Sequence, residues 1–104
     1  MRALVFALLP LAVGCATVTA TVPHVDEYEA RVLVLSDLAE LKKAPTAAQW
    51  RRAYRHFDQH LESHLSEPER FALEASFGQL RRSLKSDSMD VPMEVIMAAL
   101  QPQD

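Results

Sequence analysis

Cysteine is almost missing from this chain: among 104 residues there is one, Cys15, so no disulfide can close within it. Glycine is nearly as scarce, with only Gly14 and Gly78. A sheet built on tight glycine turns is therefore not expected, and a glycine-rich phosphate loop is excluded. No nucleophile elbow and no HExxH pair occurs either. Beyond Ala20 no apolar run approaches the roughly 20 residues that a membrane-spanning helix needs. Positive charge is not in excess: the net charge is −3, and Arg2 sits at the extreme N-terminus. That balance argues against a nucleic-acid surface and against electrostatic docking on anionic lipid. The absences leave no signature of catalysis, and a small protein that is not an enzyme is expected.

What is present begins at the N-terminus. Met1-Arg2 precedes the apolar run from Ala3 to Val13, interrupted by Pro10, and small residues follow. This is the charged, apolar and small-residue order of a secretory signal peptide. The stretch Leu11-Ala12-Val13-Gly14-Cys15 resembles the lipobox of bacterial lipoproteins, in its permissive form because Ala12 stands where the strict form has leucine. A lone cysteine placed at the end of the apolar run fits the same resemblance, which implies that Cys15 is lipidated and becomes the new N-terminus. Ala16 follows it. Aspartate there retains enterobacterial lipoproteins at the inner membrane, so the resemblance implies an outer-membrane anchor with the domain in the periplasm. A second cleavage site, Val18-Thr19-Ala20, fits ordinary signal peptidase and would release a soluble secreted or periplasmic chain from Thr21.

The expected organisation is a signal peptide over residues 1–14, a lipidated cysteine and tether over 15–23, and one helical domain over 24–101. The segment Ala16 to Val22 is small and β-branched, without apolar periodicity, and runs into Pro23, which suits a tether. Past it, helix formers dominate. The spacing predicts a first helix from about His24 to Lys43, with Val25, Tyr28, Val32, Leu35, Leu38 and Leu41 on its apolar face. Arg31 to Leu35 alone also reads as a strand, but the helical spacing continues on both sides of it. Thr46 and Gln49 form a capping-box pattern ahead of a second helix whose stripe is Trp50, Tyr54, Phe57, Leu61 and Leu65. Ser66-Glu67-Pro68-Glu69 is another such box, opening a third helix to about Lys85 with Leu73, Phe77, Leu80 and Leu84 inward. Ser86-Asp87-Ser88 reads as a loop. Asp90 is placed to cap a short last helix carrying Met93, Ile96, Met97 and Leu100. The expected fold is all-α, a small bundle of about four short amphipathic helices.

One motif carries chemistry. His56, His60 and His64 recur at i, i+4 and i+8, and imidazoles one turn apart can share a zinc, copper or nickel ion. In a regular helix they would lie at about 240°, 280° and 320° from Trp50, running obliquely from the exposed flank towards the core edge. The outer two are roughly 11 Å apart along the axis, so one ion binds at most one adjacent pair. Further ligands would come from His24, Glu67, Glu69 or water. As boundary residues, the three need no ligand at all, and a histidine cluster also titrates near neutrality. Phe71 lies away from the main stripe, either as an exposed partner contact or as a cover for the turn before its helix. Met89, Met93 and Met97 read as core filler. The pairs Arg51-Arg52 and Arg81-Arg82 read as solvated helix surface.

Two functional classes follow. The first is a non-catalytic adaptor that holds another envelope protein while tethered to the membrane by its lipid. In size and helicity the chain is similar to the small helical pilotin lipoproteins of secretion systems, several of which carry a disulfide that is impossible here. The second is a periplasmic metal-binding or pH-responsive protein working through His56, His60 and His64.

Overall fold

The computed structural model describes residues 25–102. These residues form four helices with no strand, and none of the helices is long and apolar enough to cross a membrane. Helix α1 spans Glu27–Lys43, α2 Ala47–His56, α3 Glu67–Arg82 and α4 Asp90–Leu100.

Helix α1 starts three residues later than the apolar spacing suggested. Asp26 is extended, and its side chain accepts a hydrogen bond from the Glu29 N–H (2.8 Å), so the chain enters the helix there. Glu27 and Glu29 in the first turn and Lys42 and Lys43 in the last match the ends of the helix dipole. The buried face is Ala30, Val34, Asp37, Leu38 and Leu41, whereas Tyr28 and Val32 are exposed. In the run Val32-Leu33-Val34-Leu35 every side of the helix is apolar, so the spacing fits two phases equally well. Packing selects the phase that places the small Ala30 inward.

Thr46 caps α2 by accepting from the Gln49 N–H (3.1 Å). The box is half made, because the Gln49 side chain reaches instead to the Asp37 carbonyl (3.1 Å). Nor does α2 run straight to Leu65. From Phe57 to Leu61 it widens into a π turn, with the Glu62 N–H donating to the Phe57 carbonyl, and Glu62–His64 then tighten into a 3₁₀ turn. Apolar residues at 57, 61 and 65 recur every four, while an α turn holds 3.6; the wider turn takes up the surplus and keeps Phe57 and Leu61 both fully buried.

The Ser66–Glu69 capping box opening α3 is complete in both directions. The helix ends at Arg82, short of Lys85, because the Ser83 hydroxyl bonds back to the Gln79 and Leu80 carbonyls and draws the chain out of register. Lys85 then takes the left-handed conformation with φ 67°. Asp90 does not cap α4. Ser86 caps a 3₁₀ turn over Asp87–Met89 that runs straight into the helix, with Pro92 in the first turn of α4, where a missing N–H costs nothing.

The polar contacts between elements fix the topology. Asp37 meets residues of α2 while Val25 meets His64, so α1 and α2 form an antiparallel hairpin. Arg31 donates to the Ala99 carbonyl (2.9 Å), bringing the end of α4 beside the start of α1. The core is Val34, Leu38 and Leu41 of α1, Phe57 and Leu61, Leu73, Phe77 and Leu80 of α3, and Met93, Ile96 and Leu100 of α4. Trp50 stacks on Tyr54 with centroids 5.2 Å apart, and both meet Phe77 edge-on. The Trp50 indole N–H donates to the Phe77 carbonyl (2.9 Å), satisfying the polar end of a half-buried ring. Met89 and Met93 are buried and Met97 packs against the core, in the filler role their flexibility suits.

Candidate functional site

Asp37 is the one buried charged residue among the described residues, 4% exposed. Its position three beyond Val34 and four before Leu41 forces it inward with them. An unpaired carboxylate there would be costly, and α2 supplies the partners. His56 Nδ1 lies 2.5 Å from one carboxylate oxygen and Arg52 Nε 3.4 Å from the other. Gln49, Arg52 and His56 are spaced three and four apart on one face of α2, so a single residue of α1 gathers all three. With the carboxylate accepting at Nδ1, a neutral His56 keeps its proton there and leaves the lone pair on Nε2. Sequence reasoning did not single out Asp37; Arg52, expected on solvated surface, is exposed and reaches Asp37 from there. The available signal was an acid in the phase of an apolar stripe.

The three histidines part company. The half-buried His60 ring lies 6.0 Å from that of His56, centroid to centroid, tilted by 36°. His64 turns away, with Nε2 3.2 Å from the Val25 carbonyl at the entry to α1. The 3₁₀ turn over Glu62–His64 advances about 120° per residue rather than 100°, so the regular stripe breaks after His60. Among the described residues no group of three or more His, Cys, Asp or Glu is gathered as a metal ion would need. Glu69 is occupied by the capping box; the hydrogen bonds from the Ser66 N–H and hydroxyl hold its carboxyl below the ordinary value. Cys15, His24 and the residues expected to form a signal peptide and tether lie outside the described residues.

A second polar group joins the end of α2 to α3. Burial first, then a hydrogen bond with Glu74 and the charges of Asp58 and Glu74, raise the Glu62 carboxyl above its ordinary value, and Arg70 partly offsets them. Burial, with the charges of Glu74, Asp58 and Glu62, also raises the Tyr54 phenol.

Two apolar depressions lie on the seam between α3 and α4. A groove of about 150 Å³ is lined by Leu65, Ala72, Leu73, Val95 and Ala99, with Glu69 and Ser76 at its rim. A second depression holds Gln79, Arg82, Val91 and Pro92. Residues 72 and 76 face 95 and 99 while 79 and 82 face 91, so the helices are antiparallel and the two depressions follow one another along the seam. Val91 and Val95 stand on it 68% and 52% exposed. Phe71 is 58% exposed, its ring 5.5 Å from the Arg70 guanidinium, and does not close over the preceding turn. Arg81, expected on polar surface, lies 5.0 Å over the Trp50 ring.

No family model, no curated protein and no solved structure matches the chain. The class of protein is therefore set by the architecture alone, a small all-α bundle.

Proposed function

We propose that the chain is an exported, lipid-anchored adaptor, tethered to the outer membrane through Cys15 and binding another envelope protein by its helical domain without catalysis. The observation that carries this reading is the α3/α4 seam. Ligand pockets for small molecules run to about 300–1,000 Å³; the first depression holds about 150 Å³, and the second, about 380 Å³, is lined by exposed residues such as Gln79, Arg82 and Val91. A space the size of the first takes one apolar side chain. With Val91 and Val95 continuing it along α4, the seam suits the anchor residues of an amphipathic helix, spaced a turn apart. The resemblance of Leu11-Ala12-Val13-Gly14-Cys15 to a lipobox supports the anchor.

The test is site-specific photocrosslinking in cells from residue 95 of the full-length chain, with residue 43 on the far end of α1 as a control. A single envelope protein joined from residue 95, lost on Val91→Asp and absent from residue 43, is the expected result. Equal labelling from both positions, or labelling that survives Val91→Asp, would rule out the seam as the adaptor surface.

A further inference from the structure

We infer that His56 and His60 form an exchangeable binding site for a late first-row divalent cation, held in coordinating geometry by Asp37. The inference does not depend on the adaptor reading. Two imidazoles bound to one metal at about 2.0–2.1 Å bring their ring centroids to roughly 5 Å; these rings, at 6.0 Å, reach that separation by a small rotation of side chains. The ring of His56 is already oriented. Metal-ligating histidines regularly donate their other N–H to a carboxylate, which fixes the tautomer and raises ligand basicity, and His56 Nδ1 sits on the buried Asp37. Nε2 is then the coordinating atom. Asp37 also balances the nearby Arg52 charge, which would otherwise repel a cation. His60 belongs to the π turn, an irregularity that often marks functional positions. His64 is excluded, since its Nε2 is directed to the Val25 carbonyl.

The ligand class follows from the donor set. A structural zinc site takes four protein ligands; two imidazoles with water in the remaining positions suit tetragonal coordination, and in the divalent series copper binds such nitrogen donors most strongly. The site is thus an open, surface site rather than part of the fold's stability.

The test uses the full-length chain in detergent with Cys15→Ser, which leaves no thiol to compete in unlipidated copies, titrated with Cu²⁺ and read by visible absorption and electron paramagnetic resonance. One copper per chain with coupling to two imidazole nitrogens is expected. His60→Ala should weaken binding at least about 10-fold and remove one nitrogen coupling, and Asp37→Asn should weaken it about 10-fold while keeping both couplings at saturating copper. His24→Ala and His64→Ala should stay within about twofold of the parent. Circular dichroism accompanies each variant, and His60→Ala, which leaves the Asp37 contacts intact, decides the matter if Asp37→Asn does not fold. Absence of one-per-chain binding, retention of affinity in His60→Ala, or loss of it in His24→Ala or His64→Ala would overturn the inference.

Discussion

Asp37 shows how one residue can set the relation between two helices. Its two side-chain partners are not equivalent. His56 is close and largely covered, whereas Arg52 is longer at 3.4 Å and its side chain is 62% exposed. Removing His56 leaves a buried carboxylate short of its main donor, so His56→Ala should cost about 2 kcal/mol in denaturant unfolding. Arg52→Ala, at the solvent edge, should cost less than about 1 kcal/mol. Equal losses from the two would mean that burial of Asp37 does not govern the pair. Glu62 makes the opposite case, because its carboxyl is raised by burial, Glu74 and Asp58. A carboxyl raised in the folded state weakens folding above its folded value and ceases to do so as the pH falls to the unfolded one. Glu62→Gln should therefore raise stability at pH 7 and give no gain below the ordinary value of 4.5, as thermal unfolding at the two pH values would record. At this scale the histidine stripe was legible but its division was not. Periodicity assumes one helix geometry throughout, and the π and 3₁₀ turns change it between His60 and His64. Asp37 was missed for a different reason: a single acid on a helix is usually surface, and only the phase chosen by Ala30 and Val34 puts it inside.

Elements were the most legible level, and where they failed the cause was a local side chain. The Thr46 and Ser66 caps fall where their sequence patterns put them, because the hydroxyl–amide geometry needs no information from the rest of the chain. The last turn of α3 was misjudged because Ser83 competes for the Gln79 and Leu80 carbonyls, a choice that helix-forming neighbours do not reveal. Of the expected α1 stripe, Val25, Leu35, Leu38 and Leu41 lie in or against the core, while Tyr28 and Val32 are exposed because Val32 to Leu35 offer apolar surface on every side. One consequence belongs to this scale. Lys85 follows the end of α3 at φ 67°, a position that glycine occupies without the Cβ penalty. Lys85→Gly should stabilise the domain by about 0.5–1 kcal/mol, the relief of the left-handed conformation exceeding the entropy glycine adds to the unfolded chain. A loss of stability on chemical denaturation would mean that the turn after α3 does not hold that conformation.

For the molecule as a whole, scarcity of glycine and four amphipathic stretches were enough to indicate an all-α bundle. They did not indicate its pairing, which rests on contacts distant in sequence: Arg31 with Ala99, His64 with Val25, and Trp50 with Phe77. The α3/α4 seam was hidden for the same reason. Val91 and Val95 carry no signal of their own in the sequence, and only the packing of α4 leaves them exposed, Val95 beside Ala72 and Leu73 and Val91 beside Gln79 and Arg82. The proposed adaptor needs such a surface together with an anchor, and the proposed anchor is Cys15. The most direct measurement is the intact mass, with N-terminal fragmentation, of the chain recovered from the membrane fraction of the cells that make it. A chain beginning at Cys15 with lipid on that residue is the expected result; a chain beginning at Thr21, or still beginning at Met1 with an unmodified cysteine, would contradict lipid anchoring.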